Sequence, residues 1–229
     1  MKLKKLQQYL PEFVYGGIDG SVTTFAVVAG ATGAHLESSV VIILGFANLI
    51  ADGFSMSVGS YLSHKSTQHQ YEKHRRAEYH EVKYNPEEGR DEIRAIYKEK
   101  GFEEPLLGQI VTHITADREL WVETMMKEEL EMVPAGKSPF SMGLDTFVSF
   151  NIVGLIPLLV YVLDYIHDLG LNLFLWSAAF TTVAFIVIGV LKSYINERSI
   201  SRGIAETLSL GVIAAILAYA VGDLLKHIF

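Results

Sequence analysis

Four side chains able to bind a cation interrupt two otherwise apolar stretches near the start of the chain: Asp19 in the first, and Asn48, Asp52 and Met56 in the second. A charged side chain at the centre of a bilayer costs about 2.5–3.5 kcal/mol even on lenient insertion scales, so a carboxylate kept there serves a transport path or a buried partner. Positions 48, 52 and 56 are four apart. That step stacks an amide oxygen, a carboxylate and a thioether on one helix face, each one turn above the last. Small residues at Ser55, Gly59 and Ser60, and a stripe at Gly16, Gly20 and Thr24, would let another helix approach closely, so the two stretches could meet across a polar seam. The same residues also fit a purely structural part, with Asn48 and Asp52 bonding between helices and Met56 filling space against lipid.

A second group of candidates is hydrophilic. Glu78 and Glu81 are three apart, Glu88 and Glu92 four apart, and Met125 and Glu129 four apart with Met126 alongside. Each spacing places its pair on one helical face. Acids so placed repel unless a cation intervenes, and several such faces turned together would make a divalent-ion site; alone, each is a solvated face. His64, His69, His74 and His80 are spaced by five, five and six, which scatters their rings around a helix, so they are read as surface residues. No HExxH, GxSxG or phosphate-loop pattern occurs and the paired Glu-x-x-His signature of di-iron bundles is missing, so no enzyme is expected.

Apolar and charged residues are segregated along the chain. Half of the 229 residues are hydrophobic while 20% are charged, yet the mean hydropathy is positive at +0.27. Crossing a hydrocarbon core of roughly 30 Å takes about 20 apolar residues. Stretches at roughly 13–34, 40–62, 140–163, 172–192 and 203–225 qualify. The expected fold is therefore all-α, an integral membrane protein of five transmembrane helices with a small helical cytoplasmic domain between spans 2 and 3. The domains are expected at 1–62, 63–139 and 140–229, the first with a short amphipathic segment at residues 1–10 that Pro11 ends. Lys and Arg crowd the 63–139 block and the 192–202 connection but are missing from the other two connections, which puts the N terminus in the cytoplasm and the C terminus outside. Asp19 rules against a secretory signal, and the compact chain without a targeting extension favours a prokaryotic cell membrane. The chain has no cysteine and a net charge of -7, which excludes thiolate metal sites and disulfides and argues against nucleic acid as a partner.

Within the hydrophilic block the pattern is helical. Residues from Tyr61 to Lys83 lack Pro and Gly and could continue the second span. Asn85 and Pro86 supply a start and Gly101 a stop for a helix at 86–100, with further helices at 105–114 and 117–132. Buried positions are expected at Ile93, Ile96, Tyr97, Leu120, Trp121 and Leu130. Pro157 is expected to kink the third span. Asp145 is either an entrance residue or an interfacial acid, and Glu206 a surface residue.

The segments GGIDGSVTTFAVVAGATGA, ANLIADGFSMSVGSYLSHKS, ELWVETMMKEEL and SPFSMGLDTFVSF, in that order, resemble the vacuolar iron transporter family, and the likeness runs through nearly the whole chain. The resemblance implies a five-span homodimer that carries ferrous iron, and often manganese or related divalent ions, out of the cytosol in exchange for protons. It implies a path at the dimer interface with Asp19 and Met56 as metal ligands, and a metal-collecting cytoplasmic domain using Glu78, Glu81, Met125, Met126 and Glu129, extending to Glu88 and Glu92. Some members carry glutamate at the position of Asn48, whereas here the acid stands one turn later at Asp52. A carboxylate with a thioether suits a borderline ion such as Fe(II) and gives little advantage to Ca or Mg. No prosthetic group is expected; the metal is cargo. A membrane-anchored metal sensor or buffer, using the soluble glutamates without transport, is the alternative.

Overall fold

The computed structural model describes residues 9–134 and 136–228, which are helical with no strand. Helix α1 spans Leu10–Gly33, α2 Ser38–Tyr84, α3 Pro86–Glu99, α4 Leu106–Ala116, α5 Arg118–Glu128, α6 Pro139–Gly154, α7 Ile156–His167, α8 Leu173–Ile195 and α9 Ile200–Lys226. Residues 1–8 of the expected amphipathic segment lie outside the described residues. Pro11 sits in the first turn of α1, where its missing N–H has no partner to lose.

α1, α2, α8 and α9 are each long and apolar enough to cross a membrane. α6 and α7 pass that test only together, bent by 50° at the break, and counting them as one span gives five. The expected kink at Pro157 is thus a full interruption. Proline lacks the N–H that would continue the ladder and its ring excludes a carbonyl of the preceding turn. Ser177 Oγ of α8 donates to the Pro157 carbonyl at 2.6 Å, so the buried backbone at the break is held by a neighbouring helix.

The chain divides into two compact units, residues 1–61 with 139–229, and residues 62–138. In the first, α1 packs against α6, α7, α8 and α9. Its glycines make this possible. A Cβ on Gly20 would stand 2.3 Å from the Phe150 carbonyl oxygen, and one on Gly16 would stand 2.1 Å from Ser149 Oγ. The small-residue stripe of the first span is therefore spent on α6, not on α2 as the polar-seam expectation had it. α2 meets α6 through Ser57 Oγ, which donates to the Gly143 carbonyl at 2.8 Å.

α2 runs unbroken for 47 residues, because nothing from Tyr61 to Lys83 interrupts it. In the second unit Val82, Ile93, Leu107, Val111, Ile114, Trp121, Val122, Met125 and Met126 form the core, with Tyr97, Leu120 and Leu130 packed against it. α3 begins with Pro86 behind Asn85, although the Asn85 side chain makes no capping bond. Asp117 does cap α5, accepting from the amides of Glu119 and Leu120. Arg75 and Tyr79 on α2 both bond Glu119, and Arg118 donates to the Tyr79 carbonyl at 2.7 Å, which clamps the start of α5 to α2.

Candidate metal path and acidic cluster

The bilayer-spanning candidates divide by exposure. Asp19 on α1 and Asp52 on α2 are both exposed on the single chain, and the Asp52 carboxylate is an electrostatic neighbour of Asp19. Asn48 is half-buried, and its Nδ2 is buried without a hydrogen-bond partner. Met56 is half-buried and packs against the cluster that holds Phe25, Leu49 and Phe150. One chain therefore brings the two aspartates together at its surface, while the thioether lies against the core beside them. Asp145 is half-buried on α6, and Glu206 is exposed and paired with Lys192.

α2 exposes a stripe of small residues alongside the large apolar Ile43, Leu44, Phe46, Ile50 and Phe54. Ala47, Ala51, Ser55 and Gly59 are all exposed, four apart, beside Asp52. No atom lies within 4 Å of where a Gly59 Cβ would stand. α9 exposes Leu210, Ile213, Ile216, Leu217 and Leu224, an apolar surface of the kind lipid accepts. Ser55 and Gly59 stood out in the sequence, whereas Ala47 and Ala51 did not; the four-residue recurrence was the signal that could have found them.

In the second unit the acids come together. Glu78, though charged, is only 7% exposed, and one of its carboxylate oxygens is buried without a partner. Burial pushes its carboxyl up to about 7, helped by the charges of Glu129, Glu81 and Glu92. Glu92, with one buried unpartnered oxygen of its own, is likewise pushed up to about 7 by burial and then by Glu129, Glu81 and Glu88. Burial, with Glu81, also raises Glu129. Carboxylates from α2, from α3 and from the residue after α5 thus share one electrostatic environment. Among the described residues no three acidic or imidazole groups converge tightly enough to cage an ion, so the cluster is charged for cations but not closed around one.

The methionines take another place. Met125 and Met126 are each 1% exposed in the core of this unit, so they are packed as apolar side chains here, not presented on an acidic surface. The adjacent Glu128 is drawn below the usual carboxylate range by its bond to Lys100 and does not belong to the raised group.

The chain matches the family model described as the VIT family over residues 10–223. A vacuolar iron transporter of Toxoplasma gondii (strain ATCC 50861 / VEG) is 32% identical over 226 residues, 95% of this chain and 74% of that protein. Vacuolar iron transporter 1 of Arabidopsis thaliana is 28% identical, with 94% of this chain and 86% of its own length covered. The protein of that name in Oryza sativa subsp. japonica is 30% identical, covering 91% and 82%. The matched stretch takes in the whole of the second unit, most of the first, and the bilayer-length helices apart from the end of α9, and on that evidence the chain belongs to the VIT family.

Proposed function

We propose that this protein carries ferrous iron, with manganese or a related divalent ion as further cargo, out of the cytosol in exchange for protons, along a path between two copies of the chain. The observation that carries this reading is the exposed Asp19–Asp52 pair beside the small-residue stripe of α2. Two carboxylates facing hydrocarbon would each cost about 2.5–3.5 kcal/mol, and a second copy laid on the same face removes that cost by doubling the acids around a shared, polar route. Asn48 and Met56 add an amide oxygen and a thioether at neighbouring turns. A divalent ion and protons then compete for the same carboxylate oxygens, which is the chemical basis of exchange.

The distribution of Lys and Arg supports a cytoplasmic N terminus, an outer C terminus and a cytoplasmic second unit. There Glu78, Glu81, Glu92 and Glu129, with Glu88 at the edge, would collect the cation before it enters the membrane. Fe(II) uptake into liposomes with a pH reporter inside tests the whole reading. Wild-type flux should move counter-protons and Asp19→Asn should stop both; metal flux with no proton movement under any gradient would rule the exchange out.

The coupled acids of the second unit also favour a membrane-anchored metal sensor or buffer. A tether conducts nothing, so any protein-dependent flux in the same liposomes decides against it.

A further inference from the structure

The turn between α8 and α9 gathers cations that the metal route does not use. Lys192 near the end of α8, Arg198 in the turn and Arg202 in the first turn of α9 line one cavity of about 560 Å³, with Asn196 and Glu206 on its wall. Lys192 Nζ donates to Glu206 at 2.8 Å, and both arginines act on the same carboxylate. Three cations and one acid leave two positive charges in that cavity (3 − 1 = 2), and counting Glu197 from the adjoining one still leaves one (3 − 2 = 1). The Ser199 hydroxyl pairs with Ser201 and does not cap α9, so the positive end of that helix adds to the field.

A second cavity, of about 530 Å³, adjoins the first through Ser193 and Arg198. Its walls are different: Leu10, Val190, Ile195 and Ile200 make them apolar, and Tyr194 stands at the side, 69% exposed. Both cavities lie at the ends of helices long enough to cross a bilayer, which is headgroup depth, where an amphipathic ring such as tyrosine settles. A cationic compartment joined to an apolar one matches a ligand with an anion at one end and a hydrocarbon chain at the other.

We propose that these joined cavities bind an anionic phospholipid, its phosphate held by Lys192, Arg198 and Arg202 and the start of an acyl chain laid along Leu10, Val190, Ile195 and Ile200. A soluble phosphate would satisfy the cations and leave the apolar compartment unfilled. A zwitterionic lipid would bring an ammonium group into a field that is already positive. The test is native mass spectrometry of the delipidated full chain in nonionic detergent, titrated with phosphatidylglycerol or phosphatidylcholine. The first phosphatidylglycerol should bind at least about tenfold more tightly than phosphatidylcholine, Arg198→Gln should weaken it roughly fivefold, and Arg198→Gln with Arg202→Gln should bring the two lipids to near equality. Lys226→Gln, at the far end of α9, should change nothing. Equal binding of the two lipids by the wild-type chain, displacement of phosphatidylglycerol by inorganic phosphate, or an unaltered preference in the double variant would each overturn the proposal. The first two need no variant, so they decide the matter even if the double variant does not fold.

Discussion

Glu78 and Glu92 hold charge where the interior of the second unit resists it. Burial raises both carboxyls from 4.5 to about 7 in the folded chain, so between those values the folded protein keeps protons that the unfolded chain has released. Stability from these groups is full below about 4.5 and lost as pH rises through about 7. Glu78→Gln, which keeps the shape and removes the charge, should therefore stabilise the metal-free protein by about 1–2 kcal/mol above pH 7 and have little effect near pH 5. Unfolding followed by the fluorescence of buried Trp121, in a Trp176→Phe background, reads this directly. Cation uptake by the cluster should weaken as pH falls through the same window, since protons compete for the same oxygens. Met56 needs a different test because it packs as well as carrying sulfur. Met56→Leu conserves volume at a cost of less than about 1.5 kcal/mol. Unchanged unfolding with Fe(II) flux down at least about tenfold would mark the thioether as a ligand, and unchanged flux would mark it as filler.

The glycines of α1 decide how the helices meet. Gly20 lets the Phe150 backbone approach to a distance that no side chain permits, and Gly33 and Gly222 do the same where α1 crosses α9. Gly20→Ala places its methyl against backbone atoms that can move only if a helix moves. The expected cost is about 1–3 kcal/mol, seen as a lower unfolding temperature in detergent, whereas Gly59→Ala, on an open surface, should leave that temperature unchanged. The break between α6 and α7 is legible as proline in the sequence, but its 50° angle is not. That angle goes with where Ser177 stands to donate to the Pro157 carbonyl, a contact between residues twenty apart.

For the whole molecule, the decisive question is what covers α2. Ala51→Leu with Ser55→Leu puts bulk on the exposed stripe without touching the core, and should shift the detergent-solubilised protein from dimer to monomer in mass photometry. Ile216→Ala on the lipid-like face of α9 should leave the assembly intact. An unchanged mass in the first variant would show that the second copy docks elsewhere. Family membership bears out the resemblance carried by the quoted segments and the expectation of a non-enzyme, and the helices long enough to span a bilayer make this a multi-pass membrane protein.

Several properties were set by runs of neighbouring residues alone: the all-helical class, the approximate spans, the unbroken length of α2, the start of α3 at Pro86 and the acids that could bind a cation. Apolar run length, periodicity and the backbone limits of Pro and Gly act within a few turns, so they are readable in one dimension. Packing decided the rest. It turned the Gly16–Gly20 stripe toward α6, buried Met125 and Met126, joined Glu119 to Arg75 and Tyr79, and left Asp19, Asp52 and Ala51 open at the surface. Each of those outcomes turns on which distant segment lies opposite a given face, and burial, which shifts a carboxyl by units of pH, exists only once that segment has arrived.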